Sequence, residues 1–235
     1  MTEAVLTVNG LSSGYGQATV IRNLDLQIAS GEIVAVVGKN GMGKSTLLKS
    51  IMGYLPKFSG SVAMAQHPIG DSRPHEIARL GVAYVPQEKA LFQDLTVEEN
   101  IRLSLRGSVS WNDAKETMGR CFPFLLRRLQ QKAGTLSGGE QKMLLMARSL
   151  AVEAKVLLID EITEGLQPSI ISNLVKIIKT ERDRSGLGVL LVEQNIPFTR
   201  AVSDRYVLLD KGEISGSGNT RDPDTHEKIA AHISL

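Results

Sequence analysis

The stretch Gly38-Lys39-Asn40-Gly41-Met42-Gly43-Lys44-Ser45 constrains this chain more than any other. An unbroken apolar run, Ile33-Val34-Ala35-Val36-Val37, precedes it, and the helix-compatible Thr46-Leu47-Leu48-Lys49-Ser50-Ile51-Met52 follows. Strand, glycine-rich turn and helix start stand in the order that a triphosphate cradle requires. The glycines let the backbone curl until successive N–H groups point at phosphate oxygens, and the helix N-terminus adds partial positive charge. Lys44 brings a point charge for the β- and γ-phosphates, and Ser45 a hydroxyl for Mg²⁺. A flexible turn can match such a pattern by chance, but not readily between a strand and a helix. The set Gly38 to Thr46 therefore reads as a nucleotide-binding loop.

The chain has 235 residues, room for one α/β domain with a subdomain but not comfortably two. Hydrophobic residues make up 42% and charged residues 22%, which suits a globular chain with a core. A formal net charge of +2, without a long like-charge block, argues against nucleic acid as a partner. Arg127-Arg128 reads as a solvated helix face. Cys121 is the only cysteine, so an internal disulfide is excluded, a reducing compartment is expected, and the residue reads as a small buried apolar group. The first residues show no basic segment followed by an apolar stretch, so no secretory leader is expected. No apolar run approaches the ~20 residues needed to span a bilayer, so work at a membrane requires docking on another protein.

Leu24, Leu26 and Ile28 alternate with Asp25 and Gln27, the period of a strand with one wet face. Ile33 to Val37, Val156 to Ile159 and Val189 to Val192 are instead apolar at every position. Three such strands, each ending in a polar residue, point to a parallel sheet whose carboxyl edge carries the chemistry. Pro168 sits where a first helical residue is tolerated, and Ile170, Ile171, Leu174, Val175, Ile177 and Ile178 fall on one side after it. Residues 91–154 read mostly helical and are expected to form a helical subdomain inserted in the core. Val207-Leu208-Leu209 and Glu213-Ile214-Ser215 read as a hairpin through Asp210-Lys211-Gly212, and a short tail helix is expected within 221–235.

Val156 to Ile159 ends in Asp160-Glu161. An acid at a strand end holds Mg²⁺ through its water shell, the role that fits Asp160, and Glu161 stands next to it to deprotonate the attacking water. Leu136-Ser137-Gly138-Gly139-Glu140 precedes a helix expected from Gln141 to Ala151, with Ser137 as its cap.

In this order the motifs closely resemble the ATP-binding subunits of ABC transporters, over nearly the whole chain. The matching positions are Tyr15, the phosphate loop, Gln87 in Val85-Pro86-Gln87, the signature Leu136 to Glu140, and Asp160-Glu161. The resemblance implies a P-loop NTPase (RecA-like) core with a mainly parallel sheet. An N-terminal antiparallel β subdomain and the helical insertion complete the single domain, 1–235. It implies that two subunits close head to tail over two molecules of ATP. Ser137 and the Gly138 and Gly139 amides would then meet the γ-phosphate bound to the opposite subunit. Tyr15 would stack on adenine, and Gln87 would reach Mg²⁺ and the attacking water. The implied partners are a second ATPase subunit (a paralogue or a copy of this chain), two transmembrane permease subunits and, indirectly, an extracytoplasmic solute-binding protein. The implied location is the inner face of the cell membrane.

Two departures from the family pattern stand out. Gln194 replaces the usual His near the γ-phosphate, and Ile162 replaces the usual Pro after Glu161. An amide donates a hydrogen bond but cannot carry an imidazolium's charge. Glu193-Gln194 and Glu164-Gly165-Leu166-Gln167-Pro168 resemble the branch importing branched-chain amino acids, urea and short amides. The leading expectation is the ATP-hydrolysing subunit of such an importer. Two alternatives stay open: a non-transport ABC-type ATPase, and a nucleotide-dependent regulator that hydrolyses ATP weakly.

Overall fold

The computed structural model of the protein describes residues 3–87, 90–107 and 109–234. Strands β1 (Ala4–Tyr15) and β2 (Ala18–Ala29) form a long antiparallel pair. Strand β3 (Ile33–Val37) leads into helix α1 (Lys44–Ile51). Strands β4 (Lys57–Met64) and β5 (His67–Pro68) return to the first pair and give a four-stranded antiparallel sheet, β2-β1-β4-β5. In β2, Leu24, Leu26 and Ile28 are buried while Asp25 and Gln27 are exposed, as the alternation requires.

Helix α2 (Pro74–Arg79) and strand β6 (Val82–Val85) follow. Residues 91–154 then hold helices α3 (Val97–Arg102), α4 (Trp111–Cys121), α5 (Pro123–Leu126) and α6 (Gly138–Leu150). The remaining elements are β7 (Val156–Asp160), α7 (Pro168–Ser185), β8 (Gly188–Glu193), α8 (Ile196–Val202), β9 (Arg205–Asp210), β10 (Glu213–Asn219) and α9 (Thr225–Ser234). A six-stranded sheet runs β10-β9-β3-β8-β7-β6, parallel except for the β9–β10 hairpin.

The unbroken apolar strands have a direct explanation in the core. Ile33, Ala35, Val37, Leu157, Ile159, Val189 and Leu191 belong to one buried cluster, which also takes in α3, α4, α6 and α7. Val34, Val36, Val156, Leu158, Leu190 and Val192 belong to a second cluster, against α1 and the antiparallel sheet. Both faces of each strand are therefore dry, and each buried aliphatic side chain contributes about 1.5–3 kcal/mol. The helices of the 91–154 stretch share the first cluster with the sheet.

Register places the chemistry. Val37 pairs with Glu193, Asp160 with Val192, and Val85 with Ile159. The carboxyl ends of β3, β8, β7 and β6 thus stand side by side, and the four loops leaving them carry the phosphate loop, Gln194, Glu161 and Gln87.

Three expectations change. Helix α6 begins at Gly138, three residues earlier than Gln141, because the Ser137 cap makes the glycines its first turn. Cys121 is buried but not merely apolar: its thiol contacts Glu181 Oε1 at 3.3 Å, and burial beside that carboxylate pushes it up to about 12. Arg127 and Arg128 lie past the end of α5 at Leu126 rather than on a helix face, and Arg128 is not simply solvated, since it pairs with Glu140 at 2.6 Å, while Arg127 is exposed.

Candidate active site

The phosphate loop closes around Lys44, the first residue of α1. Gly43 caps the helix at φ 102°, a left-handed conformation in which a Cβ would also lie 2.9 Å from Ile21 Cδ1. At Gly38 a Cβ would approach the Leu209 carbonyl oxygen to 2.5 Å, so this position is closed to any side chain. Helix α1 has no side-chain cap and no acid in its first turn. Its first N–H groups therefore face the cleft without an anion from the chain.

The Lys44 ammonium is almost wholly buried, with 4% exposure. It donates to the carbonyls of Gly38 and Lys39, both at 2.9 Å, and pairs with Glu161 Oε1 at 3.1 Å. Glu161 has a φ of 43°, unusual for a residue with a side chain, and its N–H is held by the Val192 carbonyl at 3.0 Å. Two amides converge on its carboxylate. Gln87 Nε2 donates at 3.1 Å, and Gln194 Nε2 at 3.0 Å. Gln87 also reaches Glu164 at 3.0 Å, and Gln194 reaches Asn40 of the phosphate loop at 2.5 Å. Three separate loops thus meet at one carboxylate.

Asp160 ends β7 in a buried position. Ser45 Oγ donates to Oδ1 at 2.9 Å and the Tyr84 hydroxyl to Oδ2 at 3.0 Å. Burial pushes this carboxyl up, and the two hydroxyls pull it part of the way back. Burial and the Asp160 charge raise the Tyr84 phenol in turn. Among the described residues no cluster of three or more His, Cys, Asp or Glu could hold a metal by itself. Ser45 and Asp160 still fit Mg²⁺, because that ion takes few protein oxygens and completes its shell with water and phosphate oxygens.

Lys44, Ser45, Gln87, Glu161 and Gln194 line an open cleft of about 830 Å³ with Tyr15, Val20, Asn40, Thr46 and Thr163, while Asp160 and Tyr84 lie behind its wall. Tyr15 stands at its rim with 49% exposure. Within the loop, the Met42 carbonyl accepts the Gly212 N–H at 3.1 Å and its sulfur lies 3.3 Å from the Lys211 nitrogen. The signature lies elsewhere. Ser137 caps α6 in a reciprocal box: its N–H donates to Glu140 Oε2 at 2.9 Å, and its Oγ accepts from the Glu140 N–H at 3.3 Å. Gly138 is open to solvent, Gly139 packs against Ile170, and Leu136 is buried. The five signature residues are not among those lining this cleft.

Sequence reasoning missed Tyr84, Thr163, and the contacts of Asn40 and Glu164. Each depends on a neighbour supplied by another strand, so no local pattern marks it. Ile162, the second departure, is buried in the core. Of the described residues, no helix is long and apolar enough to cross a membrane.

Residues 21–164 match the family model described as ABC transporter. The chain is 39% identical over 222 residues to a probable branched-chain amino acid transport ATP-binding protein, LivF, of Archaeoglobus fulgidus, covering 93% of this chain and 94% of that one. It is 36% identical to the high-affinity branched-chain amino acid transport ATP-binding protein BraG of Pseudomonas aeruginosa, covering 89% and 91%. The lipopolysaccharide export system ATP-binding protein LptB of Escherichia coli is 33% identical, covering 92% and 90%. Among solved structures, an ATP-binding subunit of an ABC transporter superposes with a TM-score of 0.83 at 27% identity, over 96% of this chain and 94% of that one. A dimeric bacterial ABC transporter cassette gives 0.81 at 25% identity, over 92% and 99%. The chain belongs to the ATP-binding subunits of ABC transporters, a family of ATPases.

Proposed function

We propose that this chain is the ATP-hydrolysing subunit of a membrane importer for branched-chain amino acids or a similarly small nitrogen compound such as urea or a short amide. The observation that carries the chemistry is the convergence of Lys44, Gln87 and Gln194 on Glu161, beside Ser45 and Asp160. The identity to the two branched-chain amino acid transport proteins supports the choice of solute class.

ATP enters with its phosphates at the N-terminus of α1, where the helix supplies N–H donors and partial positive charge. The Lys44 ammonium exchanges its bond to Glu161 for β- and γ-phosphate oxygens. Ser45 and Asp160, with help from Gln87, would hold Mg²⁺, which would supply charge neutralisation at those oxygens. Glu161, released from the lysine, accepts a proton from the attacking water. Water oxygen bonds to the γ-phosphorus as the bond to the β–γ bridging oxygen breaks, giving ADP and phosphate. Gln87 and Gln194 orient the Glu161 carboxylate and the water. Gln194 serves where the family has a histidine, donating through its amide. Tyr15 offers a face for adenine.

Ser137, Gly138 and Gly139 act on the ATP of a second cassette, a paralogue or a copy of this chain. The dimeric assembly of the structural neighbour supports that arrangement. Two permease subunits anchor the pair at the inner face of the membrane, and an extracytoplasmic solute-binding protein delivers the solute. Residues 91–154 form the helical subdomain and 221–235 the tail within a single ATPase domain. A second reading, export of a lipid-like cargo, is favoured by the identity to the lipopolysaccharide export protein. The complex should be purified from membranes with its companions and its ATP turnover measured against a solute panel. Stimulation by a branched-chain amino acid, urea or a short amide is expected. Stimulation by lipid alone selects the export reading.

A further inference from the structure

Glu193 is the last residue of β8, with only 2% of its surface exposed, and nothing in the hydrolysis described above uses it. Its Oε1 accepts the Thr163 N–H at 3.0 Å and its Oε2 accepts the Thr163 hydroxyl at 2.9 Å. The backbone N–H groups of Gln194 and Asn195 also favour its charged form. All four of these groups are uncharged. Burial pushes this carboxyl up while the hydrogen bonds pull it back. An acid in such a place is costly compared with an apolar side chain of the same size, so space-filling does not explain it. A polar side chain of this length has what an apolar one lacks, two terminal atoms that can each hold a hydrogen bond to Thr163.

That capacity is used where the β7–β8 ladder ends. Asp160 and Val192 are the last paired residues, and beyond them the two strands lead into separate loops. One loop carries Glu161 and Thr163, the other Gln194. Past the ladder the Glu161 N–H is tied to the Val192 carbonyl and Thr163 to Glu193, besides the Gln194 amide on the Glu161 carboxylate. Glu161 stands between these ties at its strained φ of 43°, with Gln194 touching its carboxylate. We infer that Glu193 is a positioning residue for ATP hydrolysis, fastening the loop that carries Glu161 to the loop that carries Gln194. Glu193 lies at the wall of the cleft with both carboxylate oxygens engaged by Thr163. It acts through the placement of Glu161, and the inference rests on Glu161 being the base.

The test uses the assembled transporter, with ATP turnover and thermal unfolding measured side by side. Glu193→Ala should lower kcat about 100-fold, the cost of a displacement near 1 Å, with KM for ATP within about twofold. Glu193→Gln keeps an acceptor for the Thr163 N–H and a donor for its hydroxyl, so it should recover most of the rate. Thr163→Val should lower kcat about tenfold, and combined with Glu193→Ala it should add little, as expected for two ends of one link. An unchanged kcat in Glu193→Ala overturns the inference, and so does a loss that appears only in KM or that Glu193→Gln fails to relieve. Should Glu193→Ala not fold, Thr163→Val decides: a lower kcat at unchanged KM supports the link, and an unchanged kcat overturns it. Glu161→Gln is the control. If it keeps full turnover, the assignment of the base itself fails; if it is inactive while Glu193→Ala is not, only the link fails.

Discussion

Two helices of this molecule start in glycine-rich turns, and they finish those starts in opposite ways. Helix α6 closes its own N-terminus, with Ser137 and Glu140 bonded reciprocally and Glu140 placing an anion in the first turn. The Ser137 backbone bond holds the Glu140 carboxyl below its ordinary range. Helix α1 has neither a side-chain cap nor a first-turn acid, and it opens into the cleft. The first is a complete structural element that still presents Gly138 to solvent. The second is complete only with an anion from outside the chain. Similar glycine and hydroxyl chemistry therefore ends in an open cleft in one case and in a self-capped helix start in the other. What separates them is the residue three positions after the cap: Glu140 in α6, Thr46 in α1.

The largest effect should come from the carboxylate next to α1. Glu161→Gln should lower ATP turnover about 1,000-fold, within the range for general-base loss, while nucleotide still binds. Steady-state hydrolysis and nucleotide titration of the assembled complex read this directly. Lys44→Ala should follow with about a 100-fold loss, because it removes a preorganised charge at the phosphates. Full turnover in that variant would break the comparison, since α1 would then be an ordinary helix start. Ser137→Ala sharpens it. Loss of the cap should cost about 1 kcal/mol in thermal or denaturant unfolding of the chain. In the paired assembly it should also lower turnover about tenfold, in keeping with one hydrogen bond to a charged group, while nucleotide affinity of the isolated chain stays unchanged.

The smallest effect lies away from both helix starts and gives a baseline. Glu181 on α7 is buried, which raises its carboxyl, but hydrogen bonds from Arg120, Arg184 and Cys121 outweigh burial and hold it below its usual 4.5. A lowered folded-state value contributes stability above the unfolded value and loses it as pH falls through the folded one. Stability should therefore decline below about pH 4.5, and the decline should be shallower in Arg120→Met, as followed by unfolding at several acid pH values.

Much of this was legible in the chain. The apolar strands announced a sheet covered on both faces because neither face of β3, β7 or β8 has a wet position. The phosphate loop, Asp160-Glu161 and the Ser137 cap are local patterns, and local patterns survive in sequence. Tyr84 beside Asp160, Gln194 on Asn40 and Glu193 on Thr163 were not legible. Each joins residues brought together by strand order, and the order β3-β8-β7-β6 is not written in any one segment. The start of helix α6 is hidden in the sequence for a different reason. Glycine's poor helix propensity hid a first turn that the Ser137–Glu140 box stabilises.

The most direct measurement is the structure of the intact transporter carrying Glu161→Gln, trapped with Mg²⁺ and ATP. Ser137 Oγ and the Gly138 and Gly139 amides should lie within hydrogen-bond reach of the γ-phosphate held by the other cassette, with this chain's Lys44 on its own nucleotide. A trapped complex in which ATP fills the cleft while Ser137 and Gly138 still face solvent would contradict the account.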